Sequence, residues 1–320
     1  MRPRPLPGIL NETPFSVQDA RACGVTPGRL RASDLVIPTY AVRAHRQPET
    51  LSEIAQAMAL GLPSDAVFSH VTASRLHGIP LPHLVGEDQL DVIRDGDLSR
   101  IRRAGCRGHR GLNWRNWDTV DGLRVTALPD TWVDLGEVLP RGLSLDDLVV
   151  AGDYVATVID GADVLRELLG FRVRPRGKRL LSKALREVRW PVRSPMETRT
   201  RLLVTRSGAP APEVNAPVYD RGGEWILEGD LVWRDARVVV EYQGWVHAPI
   251  SARSRDAHRR ALAEASGWQV IEAFADDVLR PAGRGQFVAR VLSALGCSRV
   301  TDGADAHSAT VLSALGCSRV

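Results

Sequence analysis

At 320 residues, with 44% apolar and 25% charged side chains and a net charge of +4, the chain has room for two ordinary domains and the make-up of a globular protein. It contains no apolar run long enough to span a bilayer as a helix, and none follows the arginines of the opening MRPRPLPGIL, so a cytoplasmic protein without a secretory signal is expected. Its four cysteines have neither CxxC spacing nor the pattern of a disulfide framework, which argues against structural zinc.

The pattern predicts a mixed α/β fold class. In residues 1–46, Ser16 is a suitable N-cap for a helix over Val17–Ala22, Gly24 breaks it, and Thr26 can cap a second short helix carrying Arg29 and Arg31. The run from Leu35 to Val42 reads as a β-hairpin. Helix, turn, basic helix and hairpin is the order of a winged helix, which lays its second helix in the major groove; a small helical subdomain that only packs gives the same pattern.

Residues 47–165 read as a mixed α/β region. His70, Ser74 and His77 recur at about one helical turn, a spacing that can bind metal, but no third ligand is evident and a structural role is favoured. The order FSVQDARACGVTPGRLRA, FSHVTASRLHGIPLP and LPDTWVDLG resembles the AbiEi-type antitoxins and transcriptional regulators of actinobacteria. That resemblance covers about the first half of the chain. It implies a winged helix that binds DNA through Arg29 and Arg31, and a toxin–antitoxin partner protein.

Two basic runs stand out. One holds Arg100, Arg102, Arg103, Arg107 and Arg110; the other runs from Arg172 to Arg189 within residues 166–193, which read as a basic connector. Either alone fits a solvated surface. The two together shift the balance towards phosphate contact.

Residues 194–296 carry the strongest pattern. Ser194 caps a helix with Pro195 at its first position and Gly208 beyond its end. EVNAPVYD, EWILEGDLVW and ARVVVEYQG read as three strands, Ser251–Ala265 as a helix, GWQVIEAF as a fourth strand and GQFVARVLSALG as a last helix, giving αβββαβ plus a helix. Strand alternation puts Val238, Val240 and Tyr242 on one face and Glu241 and Gln243 on the other. Asp230 ends the preceding strand, so a hairpin can bring it to Glu241. Two carboxylates on adjacent strands with a carbonyl between them make an oxygen site for Mg2+ or Mn2+. Glu197, early in the helix, can join them or complete a capping box with Ser194. Glu241 follows three valines, where a buried charge needs a partner or a metal.

The phrases SPMETRTRLL, EGDLVWRDARVVVEYQGWVH and RSRDAHRRALAEASGWQVI resemble the PD-(D/E)XK nuclease superfamily, and within it the very-short-patch-repair-like nucleases. The resemblance implies a restriction-endonuclease-like core. It also implies metal ligation by Asp230 and Glu241 with Glu197 as an accessory acid, and motif positions at His247 and at the Arg255-Asp256 pair. Arg255 and Arg259 either hold phosphates or form a solvated helix face. The sequence departs from the superfamily at Gln243, where lysine is usual: glutamine hydrogen-bonds but carries no charge. The expectation is therefore a DNA-acting protein with a metal-dependent endonuclease domain. The alternative is a non-catalytic DNA-binding regulator or antitoxin with a degenerate nuclease fold. Finally, VLSALGCSRV occurs at 291–300 and again at 311–320. Only the first copy follows an apolar stripe, so residues 297–320 are expected to be a loosely held duplicated tail.

Overall fold

The computed structural model of the chain describes residues 4–11, 13–244 and 250–297, without the side chains of 250–256. The chain divides between Trp190 and Pro191 into two units. Among the described residues there are eleven α-helices and three sheets, so the fold is mixed α/β as expected.

In the first unit, β1 (Phe15–Ser16) leads into α1 (Val17–Ala22), whose cap is the Ser16 hydroxyl accepting the Asp19 N–H at 2.9 Å. β1 pairs antiparallel with β2 (Val42–Arg43), and Val36 bridges to Ala44. The second helix of the expected winged helix is not formed. Arg29–Arg31 makes a single 3-10 turn, too short to lie along a groove. Its geometry is fixed by Arg29, which donates to both carboxylate oxygens of Asp34 at 2.9 and 2.8 Å and to the Arg4 carbonyl at 2.5 Å. The Arg29 side chain is only 10% exposed, so it is spent on local structure rather than offered to DNA, whereas Arg31 is exposed.

A five-stranded sheet follows. α2 (Leu51–Ala59) starts from a complete capping box of Thr50 and Glu53. Then come β3 (Val67–Phe68), α3 (His70–Leu76), β4 (Leu90–Arg94), β5 (Cys106–Arg110), β6 (Trp117–Val120), β7 (Leu123–Thr126), α4 (Leu128–Asp134) and α5 (Leu145–Val158). The strand order is β5-β4-β3-β7-β6, with β4–β5 and β3–β7 parallel and the other pairs antiparallel. Met58, Phe68, Leu90, Val92 and Val125 form its core, and the wholly buried Trp132 donates its indole N–H to the Leu148 carbonyl at 3.0 Å.

The segment expected as a basic connector is instead folded as α6 (Asp163–Phe171) and α7 (Lys178–Glu187). Leu165, Leu169, Leu181, Ala184 and Leu185 recur at helical spacing and are buried. Of the basic residues that made the segment look like a linker, Lys178, Arg179, Lys183 and Arg186 occupy the exposed face of α7, Arg174 and Arg176 lie exposed in the turn before it, and Arg172 is buried.

The second unit holds α8 (Pro195–Arg206), β8 (Glu213–Tyr219), β9 (Trp225–Trp233), β10 (Val238–Tyr242), α9 (Ile250–Ala265), β11 (Gln269–Ala273), α10 (Ala275–Leu279) and α11 (Pro281–Ala294). Its sheet order is β11-β10-β9-β8, with β10 and β11 parallel and the rest antiparallel. Only the short α10 was not foreseen. Leu231, Trp233, Val238 and Val240 pack on Val204 of α8 and on Phe287, Val288, Val291 and Leu292 of α11. Val232 and Val239, one residue out of phase, pack with Ala263 of α9 and Trp268. The sheet is thus covered on both faces. The second copy of the repeat lies outside the described residues.

Candidate metal centre

Strand register brings the central acids together. Val240 lies opposite Leu231, so the next residues along, Glu241 and Asp230, face each other across the same pair. Alternation puts both on the face shared by Val232 and Val239. Gly229, beside Asp230, is required by packing: a Cβ there would sit 2.1 Å from Val239 Cγ2. Asp230 Oδ2 accepts the Tyr242 N–H at 2.6 Å, a bond that stabilises the carboxylate. Burial outweighs it, and Glu197 and Glu241 add like charge, so the Asp230 carboxyl is pushed up to about 7, with Arg193 the opposing cation.

Glu197 enters from the first turn of α8. Ser194 caps that turn, its hydroxyl accepting the Glu197 N–H at 3.2 Å. The return bond of a capping box is displaced by one residue: Glu197 Oε2 accepts from Arg193 N at 3.0 Å and from Asn215 Nδ2 at 2.8 Å. The side chain is therefore tied to β8 as well as to its own helix. Asn215 was missed by sequence reasoning. It lies between Val214 and Ala216, the partners of Leu231 and Gly229, and so falls opposite Asp230 with φ of +45°. A polar residue interrupting an apolar strand was the available signal.

Of the other expected site residues, Gln243 donates its backbone N–H to the Ala273 carbonyl at 2.7 Å, which fixes the end of β10. His247 and the side chain of Arg255 lie outside the described residues. Arg259 is exposed and sits over the Trp225 ring at 5.2 Å, while Arg260 pairs with Glu272 at 2.5 Å. Glu197, Asp230 and Glu241 do not meet as tightly as one group elsewhere does. Among the described residues, the set whose ligand atoms all lie within 4.8 Å of one another is His70, His109 and Glu137.

That set could hold a metal ion, and it lies in the first unit. His70 opens α3 with φ of +50°, and its Nδ1 meets the Ser69 hydroxyl at 2.9 Å. Its buried Nε2 has no hydrogen-bond partner and faces Glu137 at 3.9 Å. His109 Nε2 lies 2.9 Å from Asp91, itself wholly buried and paired with Arg141. The His70 imidazole, then Arg115 and Arg176, hold the Glu137 carboxyl at about 2 against its burial. The two imidazoles are stacked, 3.7 Å between centroids and 18° from parallel. Ring lone pairs lie in the ring plane, so an ion taking both would need the rings to tilt apart. His77, the helical neighbour considered from sequence, is not in the cluster: its Nε2 meets the Thr126 carbonyl at 2.8 Å, in keeping with the favoured structural role.

The fold and site define a two-unit α/β protein whose second unit buries a carboxylate beside two others. No family model matches the chain. It is 29% identical over 266 residues to an uncharacterized protein of Mycobacterium tuberculosis strain CDC 1551 / Oshkosh and equally to one of strain ATCC 25618 / H37Rv, covering 80% of this chain and 91% of each relative. A solved structure, that of the RV2827C protein from Mycobacterium tuberculosis, matches with a TM-score of 0.38 and 15% identity, over 65% of this chain and 84% of that one. No helix among the described residues is long and apolar enough to cross a membrane.

Proposed function

We propose that the second unit is a metal-dependent nuclease that hydrolyses DNA phosphodiesters at Asp230, Glu241 and Glu197. The observation that carries this is the strand register that sets Asp230 opposite Glu241, with Asn215 of the next strand holding Glu197; burial and these two carboxylates push the Asp230 carboxyl up to about 7. A cluster of acids that repel one another around a buried oxygen suits a hard divalent cation, which offsets that repulsion. The donor set is all oxygen, so Mg2+ or Mn2+ fits it better than a thiophilic metal. When bound, such an ion neutralises charge developing on a phosphodiester and acidifies water. The protein's own part is positional. The Tyr242 N–H orients Asp230, while Asn215 and the Arg193 N–H hold Glu197 towards the sheet.

Gln243 favours a second reading, a DNA-binding regulator or antitoxin with a toxin partner, because the position lacks the positive charge that assists an attacking water in lysine-bearing relatives of the fold. Nicking of supercoiled plasmid by the purified full chain with Mg2+ or Mn2+, alongside Mn2+ titration, separates the two. Cleavage lost in both Asp230→Ala and Glu241→Ala supports the nuclease. Cleavage that survives in both overturns the site. Absence of cleavage and of metal binding, with salt-sensitive DNA binding retained, supports the regulator.

A further inference from the structure

The two basic runs, sixty residues apart in sequence, meet at one pocket of the first unit. It has a volume of about 520 Å³ and is lined by Arg110 and Trp114 on one side and by residues 171–176 on the other. Its guanidinium groups divide into two kinds. Arg115 and Arg172 are buried and already neutralised: Arg115 pairs with Asp134 at 2.7 Å, and Arg172 pairs with Asp130. They build the wall. Arg110 and Arg174 are exposed and make no ion pair among the described residues. Arg176, 75% exposed, falls between the two: it pairs loosely, at 3.6 Å, with Glu137, which also lines the pocket. The local backbone fixes the first of these. Arg110 ends β5 next to His109, which Asp91 anchors, and the turn at Gly111 has φ of +103°.

Beside these charges lie large apolar side chains in water: Trp114 is 60% exposed, Phe171 71% and Val173 86%. Guanidinium groups alone would suit any anion. Exposed rings next to unneutralised guanidiniums suit a polyanion with flat apolar faces of its own. In a duplex those faces are stacked inside; in a single strand they are available. We propose that this pocket binds single-stranded nucleic acid, with Arg110, Arg174 and Arg176 on the phosphates and Trp114 and Phe171 against unpaired bases. The proposal goes beyond the nuclease reading, since it lies within the first unit and requires no cleavage.

The test uses the full chain in EDTA, so that cleavage does not intervene. Fluorescence anisotropy compares a labelled 12-nucleotide single strand with the duplex of the same sequence. The single strand is expected to bind at least tenfold tighter. Arg110→Glu combined with Arg174→Glu should weaken it at least tenfold and flatten its salt dependence. Trp114→Ala should weaken it about tenfold with the salt dependence unchanged, because stacking carries no counterion release. Photo-crosslinking to a 5-iodouracil strand should mark the peptide containing Trp114. Both arginines are exposed, and urea midpoints within the wild-type range confirm that the variants fold. Equal affinity for duplex and single strand, full displacement by millimolar inorganic phosphate, or wild-type affinity in the arginine variant would each overturn the proposal. The assay contains no free divalent cation and reads binding rather than cleavage, so loss of the nuclease reading leaves this result standing.

Discussion

Replacing Asp230 by asparagine should make the protein more stable at neutral and alkaline pH. The side chain keeps an oxygen for the Tyr242 N–H and loses the charge that burial, Glu197 and Glu241 all disfavour. The sign follows from linkage. The folded-state pKa is raised from 3.8 to about 7, so the folded state holds its proton where the unfolded state has released it. Stability from this group is complete below the unfolded pKa and is lost as pH rises through the folded one. Between pH 5 and 8 the loss works out at roughly 2–3 kcal/mol, out of about 4 kcal/mol over the whole range. Urea unfolding of wild type and Asp230→Asn at both pH values measures it, and subtracting one curve from the other cancels groups the two share. The variant's advantage should grow by that amount from pH 5 to 8. Adding Mg2+ at pH 8 should narrow the gap by stabilising wild type only. A variant that is less stable than wild type at pH 8, or a difference that does not change with pH, would refute the argument that the acids repel one another in a partly buried site.

Two further outcomes follow from packing. Gly229→Ala drives a Cβ to 2.1 Å from Val239 Cγ2 and 3.0 Å from Val232 Cγ2, so it should cost about 1–3 kcal/mol in the second unit and weaken Mn2+ binding, read by urea denaturation and by titration. Arg172→Ala leaves the buried Asp130 carboxylate without its main cation and should cost about 3–5 kcal/mol in the first unit. Burial already raises the Asp130 pKa, so that cost should shrink as the pH is lowered and the carboxyl protonates; a cost that stays constant from pH 7 to 4 would point to lost packing instead.

The second unit was legible because its elements are local and strongly punctuated. Ser194-Pro195 starts a helix, Asp220 to Gly223 turns the chain, and the out-of-phase valines of β10 mark a sheet buried on both faces. Glu241 stands out in that strand as a charge directly after three buried valines, and the structure leaves it half-buried. The first unit was harder. Arg29 and Arg31 have the composition of a recognition helix, but a helix of that length depends on tertiary packing, and the Asp34 carboxylate captures Arg29 instead. The expected connector 166–193 misled in a related way, since its charge content hid the buried Leu169 of α6 and Leu181 and Leu185 of α7.

The His70 cluster shows the limit most clearly. Sequence spacing can pair His70 only with neighbours on its own helix, such as His77. Its actual companions come from β5 and from the turn after α4, and they are assembled by the sheet order β5-β4-β3. Both polar clusters arise where a strand register, rather than a local motif, sets the contact. In the acidic site that register joins neighbouring strands of a hairpin, Asp230 to Glu241, and is visible in the residue pattern. In the histidine cluster it crosses a parallel pair connected through residues 95–105, and nothing in the spacing of His70, His109 and Glu137 announces it.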